Sequence, residues 1–256
     1  FAPNGQYLAY MHNMKATGAW EKYHQAGKTT AVTGRFFEAR PSEEFYDNFK
    51  DFHNIDNQID DPLHQSKIKE LKKELRRQQL KYFDSGLMPE EMRNRIIREK
   101  KTTVYEFVRD PKLYPLAKYL DYSDLALSRK KKNLKTFTLG LSDDDPVIRY
   151  WSVVGLLLLE KQAKPAIPNL KKVLDDQDEI PALAAWAIFK AGSKKFASKW
   201  MLDEILENPE HKMLANVLDW MDQGSFSILA QIPGDKLPKR GLLKDVVNRY
   251  QARALN

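Results

Sequence analysis

The stretch "DDDPVIRYWSVVGLLLLEKQAKPAIPNLKKVLDD", residues Asp143–Asp176, decides the fold. Three acids precede Pro146, and from Val147 to Leu159 the chain is apolar except for Arg149 and Ser152. An Asp-Pro pair is a helix start. The carboxylate accepts from free backbone N–H groups of the first turn, and proline sits where its missing N–H has no partner to lose. A helix is therefore expected from Pro146 to Glu160, and a second from about Ala166 to Leu174. The same scheme returns in "DQDEIPALAAWAIFKAGSKKFASKWMLDEILEN", Asp176–Asn208, with Ile180 answering Ile148, Ala187 answering Gly155 and Phe189 answering Leu157. A repeat of about 33 residues is the period of a helix-pair array. A third unit begins at Asn208-Pro209, with Met213, Val217 and Trp220 on its apolar face. Tyr114–Ser128 with Asn133–Leu141 reads as a degenerate first unit and Leu242–Ala252 as a terminal helix; end units of such arrays are irregular. Small residues at Gly155 and Ala187 let helices approach closely, and each pair buries its remaining apolar surface only by stacking on a neighbour. The expectation for residues 112–256 is a right-handed stack of helical hairpins, an all-α solenoid.

Upstream of the repeats the pattern loosens. Residues 87–111 read as a helical connector, with one helix over Pro89–Lys100 and a capping box at Thr103-Val-Tyr-Glu106. Before it, Asp61-Pro62 starts a long helix whose apolar positions Ile68, Leu71, Leu75, Tyr82 and Phe83 recur at helical spacing until Gly86, leaving one narrow face to bury. From Lys15 to Ala26 the positions Ala16, Ala19, Trp20 and Tyr23 mark one face of a short helix ended by Gly27. Val32–Pro41 and Glu43–Asn48 carry strand-like aromatic content, with Pro41 as the break between them. Residues 1–86 are thus expected to form a small α+β subdomain, and the whole chain a mainly α protein.

With 256 residues, 42% hydrophobic and 11% aromatic, the chain can bury a substantial core. Charged residues make up 30% and the net charge is +7, but acids and bases are interspersed as on a solvated helical surface. The absence of cysteine excludes a disulfide framework, a thiolate nucleophile and a cysteine-type zinc site. The longest apolar run, Val153–Leu159, is far too short to cross a bilayer. The chain opens at Phe1 within sequence of ordered character, which suggests a polypeptide that extends upstream.

"RFFEARPSEEFYDNFKDFHNIDNQIDDPLHQSKIKELKKELRRQQLKYFDSGLMPE", Arg35–Glu90, resembles the C-terminal subdomain of the type I, formylglycine-dependent sulfatases. Pro41, Glu43, Glu44, Tyr46 and Asp47 match that family's Pro-x-Glu-Glu-Leu-Tyr-Asp-Leu run, Asn54 and Asn57 its Asn-rich turn, and Gly86, Leu87, Pro89 and Glu90 its Gly-Leu-x-Pro-Glu tail. "NGQYLAYMHNMKATGAWEKYHQAGK", Asn4–Lys28, is similar to the family's Tyr-Gly-Gln, Tyr-Met, Trp and Gly-Lys passage. The likeness covers roughly residues 1–90. Asn48 stands for the family's second Leu, Asp51-Phe52 for an Asp-Pro, and the family's His-containing proline stretch is reduced to Phe1-Ala2-Pro3-Asn4. Some sulfatases carry HEAT-like repeats after this subdomain. The resemblance implies that Glu43–Asp47 is an edge strand ending in an Asn-stabilised turn that lays the Asp61-capped helix on a small sheet. It implies a parent sulfuric ester hydrolase acting on sulfated carbohydrate, in the periplasm or secreted, with an upstream catalytic domain as partner. Formylglycine, made from a Cys or Ser in Cys/Ser-x-Pro-x-Arg, and a calcium ion would both belong to that upstream part, because no such motif occurs here. This chain is expected to be inactive alone.

Within the chain no catalytic or metal residue stands out. Tyr7, Tyr10 and Trp20 could form a sugar-stacking platform, the alternative being simple packing. The segment Lys67–Lys81 holds seven basic and two acidic residues, so Lys72, Lys73, Arg76 and Arg77 are candidates for polyanion binding, with Arg129-Lys130-Lys131-Lys132 as a second cluster; the alternative is a solvated helix face. No nucleic-acid recognition motif accompanies them. Asp143, Asp144 and Asp145 read either as a cap or as calcium ligands. A second functional reading is a free-standing α-solenoid that binds a protein or a polyanion.

Overall fold

Caps and apolar periodicity together place the helices of the computed structural model, which describes residues 11, 14–38 and 41–254. The first part contains α1 (Lys15–Gln25), the single turn α2 (Ala31–Gly34) and the long α3 (Gln65–Tyr82). The connector holds α4 (Glu90–Lys100) and the short α5 (Val104–Phe107). Then follow α6 (Leu116–Leu127), α7 (Leu134–Gly140), α8 (Pro146–Leu159), α9 (Ile167–Lys172), α10 (Ile180–Lys190), α11 (Lys194–Glu207), α12 (Lys212–Trp220), α13 (Phe226–Leu229) and α14 (Leu242–Ala254). The protein is mainly helical. Asp145 Oδ1 accepts from Val147 N–H at 2.9 Å and caps α8, Asp143 Oδ1 accepts from Asp145 N–H at 2.9 Å, and Arg149 spans the joint to Asp176 at 2.6 Å. The Thr103–Glu106 capping box closes in both directions at the start of α5.

Among the described residues there is no strand, and this corrects the expected α+β character of residues 1–86. Thr30 and Thr33 cap each other around α2, and a 3-10 turn over Arg35–Phe37 continues it. The aromatic residues that suggested a strand instead stack on α1: Phe36 lies 4.9 Å from the Trp20 ring, Phe37 meets it edge-on at 5.1 Å, and Trp20 Nε1–H donates to Thr33 O at 3.1 Å. Glu43–Asn48 forms no ladder either. Asn57 Oδ1 accepts from Phe45 N–H at 2.9 Å and from Ile59 N–H at 3.2 Å, while Gln58 N–H donates to Phe45 O at 2.8 Å. Both backbone groups of Phe45 are taken by the turn that follows it, so the segment is clasped without a neighbouring strand.

Two apolar faces also differ from expectation. Helix α1 buries Thr17 and Glu21, whereas Trp20 and Tyr23 lie outward. The cause is distant in sequence: the Arg249 guanidinium on α14 reaches Asp219 of α12, Glu21 at 3.6 Å and Asp222 at 3.7 Å, so an ion cluster draws the polar face of α1 inward. On α3 only Ile68 of the helical apolar stripe is buried; Leu71, Leu75 and Tyr82 are 45%, 59% and 65% exposed. The helix ends at Phe83, which adopts a left-handed conformation at φ 56°, ahead of the expected stop at Gly86.

The core lies in the second half. Helix α8 packs against α6, α7 and α10, and α10 in turn packs against α9, α11 and α12, with α14 covering α12. Being covered on several sides, α8 and α10 are apolar nearly all round, which is why no single stripe could be read from them. Gly155 is a contact point between α7 and α8: a Cβ there would lie 2.7 Å from the Phe137 ring. A helical glycine normally gains about 1 kcal/mol on mutation to alanine, but here a larger side chain meets a fully buried ring. Gly155→Val is expected to lower unfolding free energy by about 2–3 kcal/mol, measured by urea denaturation.

Candidate functional site

Two surfaces could engage a partner. The first is the basic face of α3, whose cations are mostly answered by local acids. Lys72 pairs with Glu43 at 2.7 Å and Arg77 with Glu74 at 2.7 Å. Arg76 contacts Asp121, reaches Asp124 at 3.4 Å, and donates to Ala117 O at 3.2 Å. Hydrogen bonds from Arg77 and Gln78 hold the Glu74 carboxyl down at about 2. Lys73 is exposed and enters none of these pairs. Arg129–Lys132 is exposed at the joint before α7. Of the aromatic platform, Trp20 has one ring face covered by Phe36, while Tyr7 and Tyr10 lie outside the described residues.

The second surface is a cleft of about 330 Å³ where residues 86–91 meet α8, α10 and α12. Its floor comes from α8, where Tyr150 and Trp151 are both more than nine-tenths buried and meet edge-on at 5.5 Å. Trp151 Nε1–H donates to Leu87 O at 2.7 Å, which seats the Gly86–Glu91 segment as one wall. Trp220 and Lys212 of α12 supply the opposite wall, and Lys212 Nζ bridges to Glu91 at 3.1 Å. Arg95 of α4 grips Asp178 at 2.7 Å, and Arg149 grips Asp176, so the turn between α9 and α10 is fixed from both sides. Those two bridges hold Glu179 in the cleft wall.

Glu179 is 3% exposed, and its Oε2 has no hydrogen-bond partner. Burial pushes its carboxyl up to about 7; Asp178 and Glu91 add to that, while backbone N–H groups of Glu179 and Met92 act in the opposite direction. Burial, and then the nearby Glu179 carboxylate, also pushes the Tyr150 phenol up. The sequence hid this site because its members come from residues 86–220: Trp220 reads as part of an apolar helix face, and neither Trp151 nor Glu179 stands out alone. The only signal was an acidic run, Asp175–Glu179, broken by Gln177 and ending directly at an apolar helix.

Among the described residues no group of three or more His, Asp or Glu side chains is placed to hold a metal ion. No helix among them is long and apolar enough to cross a membrane. Comparison with family models, curated proteins and solved structures finds no match for this chain.

Proposed function

We propose that this chain is the non-catalytic C-terminal portion of a sulfatase-like enzyme, in which residues 1–86 seat against an upstream catalytic domain and residues 112–256 form a HEAT-like solenoid. The observation that carries this reading is the uncovered apolar surface of an ordered segment. Phe49, Phe52 and Leu63 are 104%, 84% and 87% exposed, and Leu71 and Leu75 on the helix that follows them in sequence are bare as well. Large apolar side chains left uncovered in such number favour a contact face. It falls on the residues that resemble the sulfatase subdomain. The parent reaction would be hydrolysis of a sulfate ester on sulfated carbohydrate, in the periplasm or outside the cell, with formylglycine and calcium held upstream.

The test uses the chain alone and the natural polypeptide extended upstream. Residues 1–256 are expected to leave 4-nitrophenyl sulfate intact, while the extended protein carries Cys/Ser-x-Pro-x-Arg and hydrolyses it. In the extended protein Leu71→Lys with Leu75→Lys is expected to lower stability by about 2–4 kcal/mol, as for losing two buried leucines, and to leave the short chain within about 0.5 kcal/mol. Turnover by the short chain, an upstream sequence without the motif, or equal effects of the double substitution in both proteins overturns the proposal.

The exposed Arg129–Lys132 run favours a second reading, a free-standing solenoid that binds a polyanion such as sulfated polysaccharide. On that reading, retention on heparin falls steeply with salt and drops when the four cations Arg129–Lys132 are changed to Glu. Because Lys72, Arg76 and Arg77 already face acids, changing those with Lys73 should matter less.

A further inference from the structure

The geometry points to the cleft between the connector and α12 as a binding site for a small organic cation bearing a quaternary ammonium group. A volume of about 330 Å³ lies at the lower end of small-molecule pockets, roughly 300–1,000 Å³. Three aromatic rings, Tyr150, Trp151 and Trp220, line it together with Glu179, whose buried Oε2 has no partner within the fold. A buried carboxylate whose charge has no cation beside it is costly, and a positive charge in the cleft offsets that cost.

The charges in the lining select a cation. Lys212 is already matched by Glu91 at 3.1 Å, and Glu90 has Arg93 at 3.8 Å, so the charge left to be answered is that of Glu179. The type of cation follows from hydrogen-bond capacity. A primary ammonium brings three N–H donors that each need an acceptor, whereas Glu90 and Glu91 are engaged by Arg93 and Lys212 and Glu179 leaves one oxygen free. A divalent metal needs several oxygen ligands, and among the described residues no group of three acidic or histidine side chains is placed to supply them. A quaternary ammonium has no donor to satisfy. Its diffuse charge is stabilised by ring faces and by one carboxylate nearby. Trp151, pinned through its Nε1–H to Leu87 O, presents its ring without rearrangement.

The experiment, at pH 8 where Glu179 is ionised, follows the indole N–H signals of Trp151 and Trp220 by NMR while choline is titrated into the full chain, and compares its neutral carbon isostere, 3,3-dimethylbutan-1-ol. The two probes share size and shape and differ in charge. Choline is expected to give saturable shifts at both indoles, with the alcohol at least about tenfold weaker. Glu179→Gln, which keeps the side-chain shape, is expected to weaken choline by about tenfold or more and leave the alcohol unchanged. Should that variant lose its fold, the choline-to-alcohol ratio of the unaltered protein decides alone. No saturable shift with choline, equal affinity for the alcohol, or undiminished choline binding by a folded Glu179→Gln chain overturns the assignment.

Discussion

Arg249→Ala is expected to lose about 3–5 kcal/mol of stability, because removing one member of a buried ion cluster strands the others in a low-dielectric interior. The arginine lies on α14 and contacts Asp219 on α12, Glu21 on α1 and Asp222 beyond α12. Glu21 and Asp219 are each 4% exposed, so neither can turn to water without local unfolding. The cluster is also the link through which the first helix is held to the last, and a two-step urea transition with early loss of α1 is expected in the variant. Neutralising all three core members together, as Arg249→Met, Glu21→Gln and Asp219→Asn, should cost markedly less than Arg249→Ala alone, since the one charge left facing the site, Asp222, is 41% exposed to water. Urea midpoints of the two proteins measure the difference. A loss under about 1 kcal/mol for Arg249→Ala would place this cluster with surface pairs.

Glu179→Gln is expected to stabilise the protein at pH 8 while leaving it nearly unchanged at pH 4. The ordinary glutamate value is 4.5, and burial raises that of Glu179 to about 7 in the folded chain. Between those values the folded protein keeps the proton that the unfolded chain has released. The folded state therefore binds more protons, and stability falls as pH rises from about 4.5 to 7, then levels off. At about 1.4 kcal/mol per unit, the loss reaches on the order of 3 kcal/mol. Facing groups sharpen the window: Glu91 and Asp178 raise the value further although Lys212 and Arg95 pair with them, and Tyr150 stays protonated throughout. Other carboxylates add slopes of their own, so the measured quantity is the difference in urea midpoint between variant and parent at each pH. A difference that does not grow from pH 4.5 to 7 contradicts a buried, raised carboxyl at this position.

The helical half was legible because its signals are local. Asp145-Pro146 caps α8 through atoms two residues apart, Thr103 and Glu106 cap each other across one turn, and the apolar runs after Pro146 and Ile180 fall on helices α8 and α10. The misreadings share the opposite property. Phe36 and Phe37 carry strand propensity, yet a strand exists only with a neighbour to bond, and stacking on Trp20 prevailed. In α1 the small and aromatic face looked buried, but an arginine 228 residues beyond Glu21 turned the polar face inward.

From its sequence alone this chain was bound to be mainly helical, without cysteine chemistry, and to bury its Pro146–Lys190 helices, because capping and 3.6-residue periodicity act between near neighbours. Tertiary structure alone decided which face of α1 turns inward, that α3 keeps its leucines bare, and that Tyr150, Trp151, Glu179 and Trp220 meet around one cleft. Those outcomes depend on contacts across tens to hundreds of residues, where the energy of an ion pair or a ring contact outweighs any local preference.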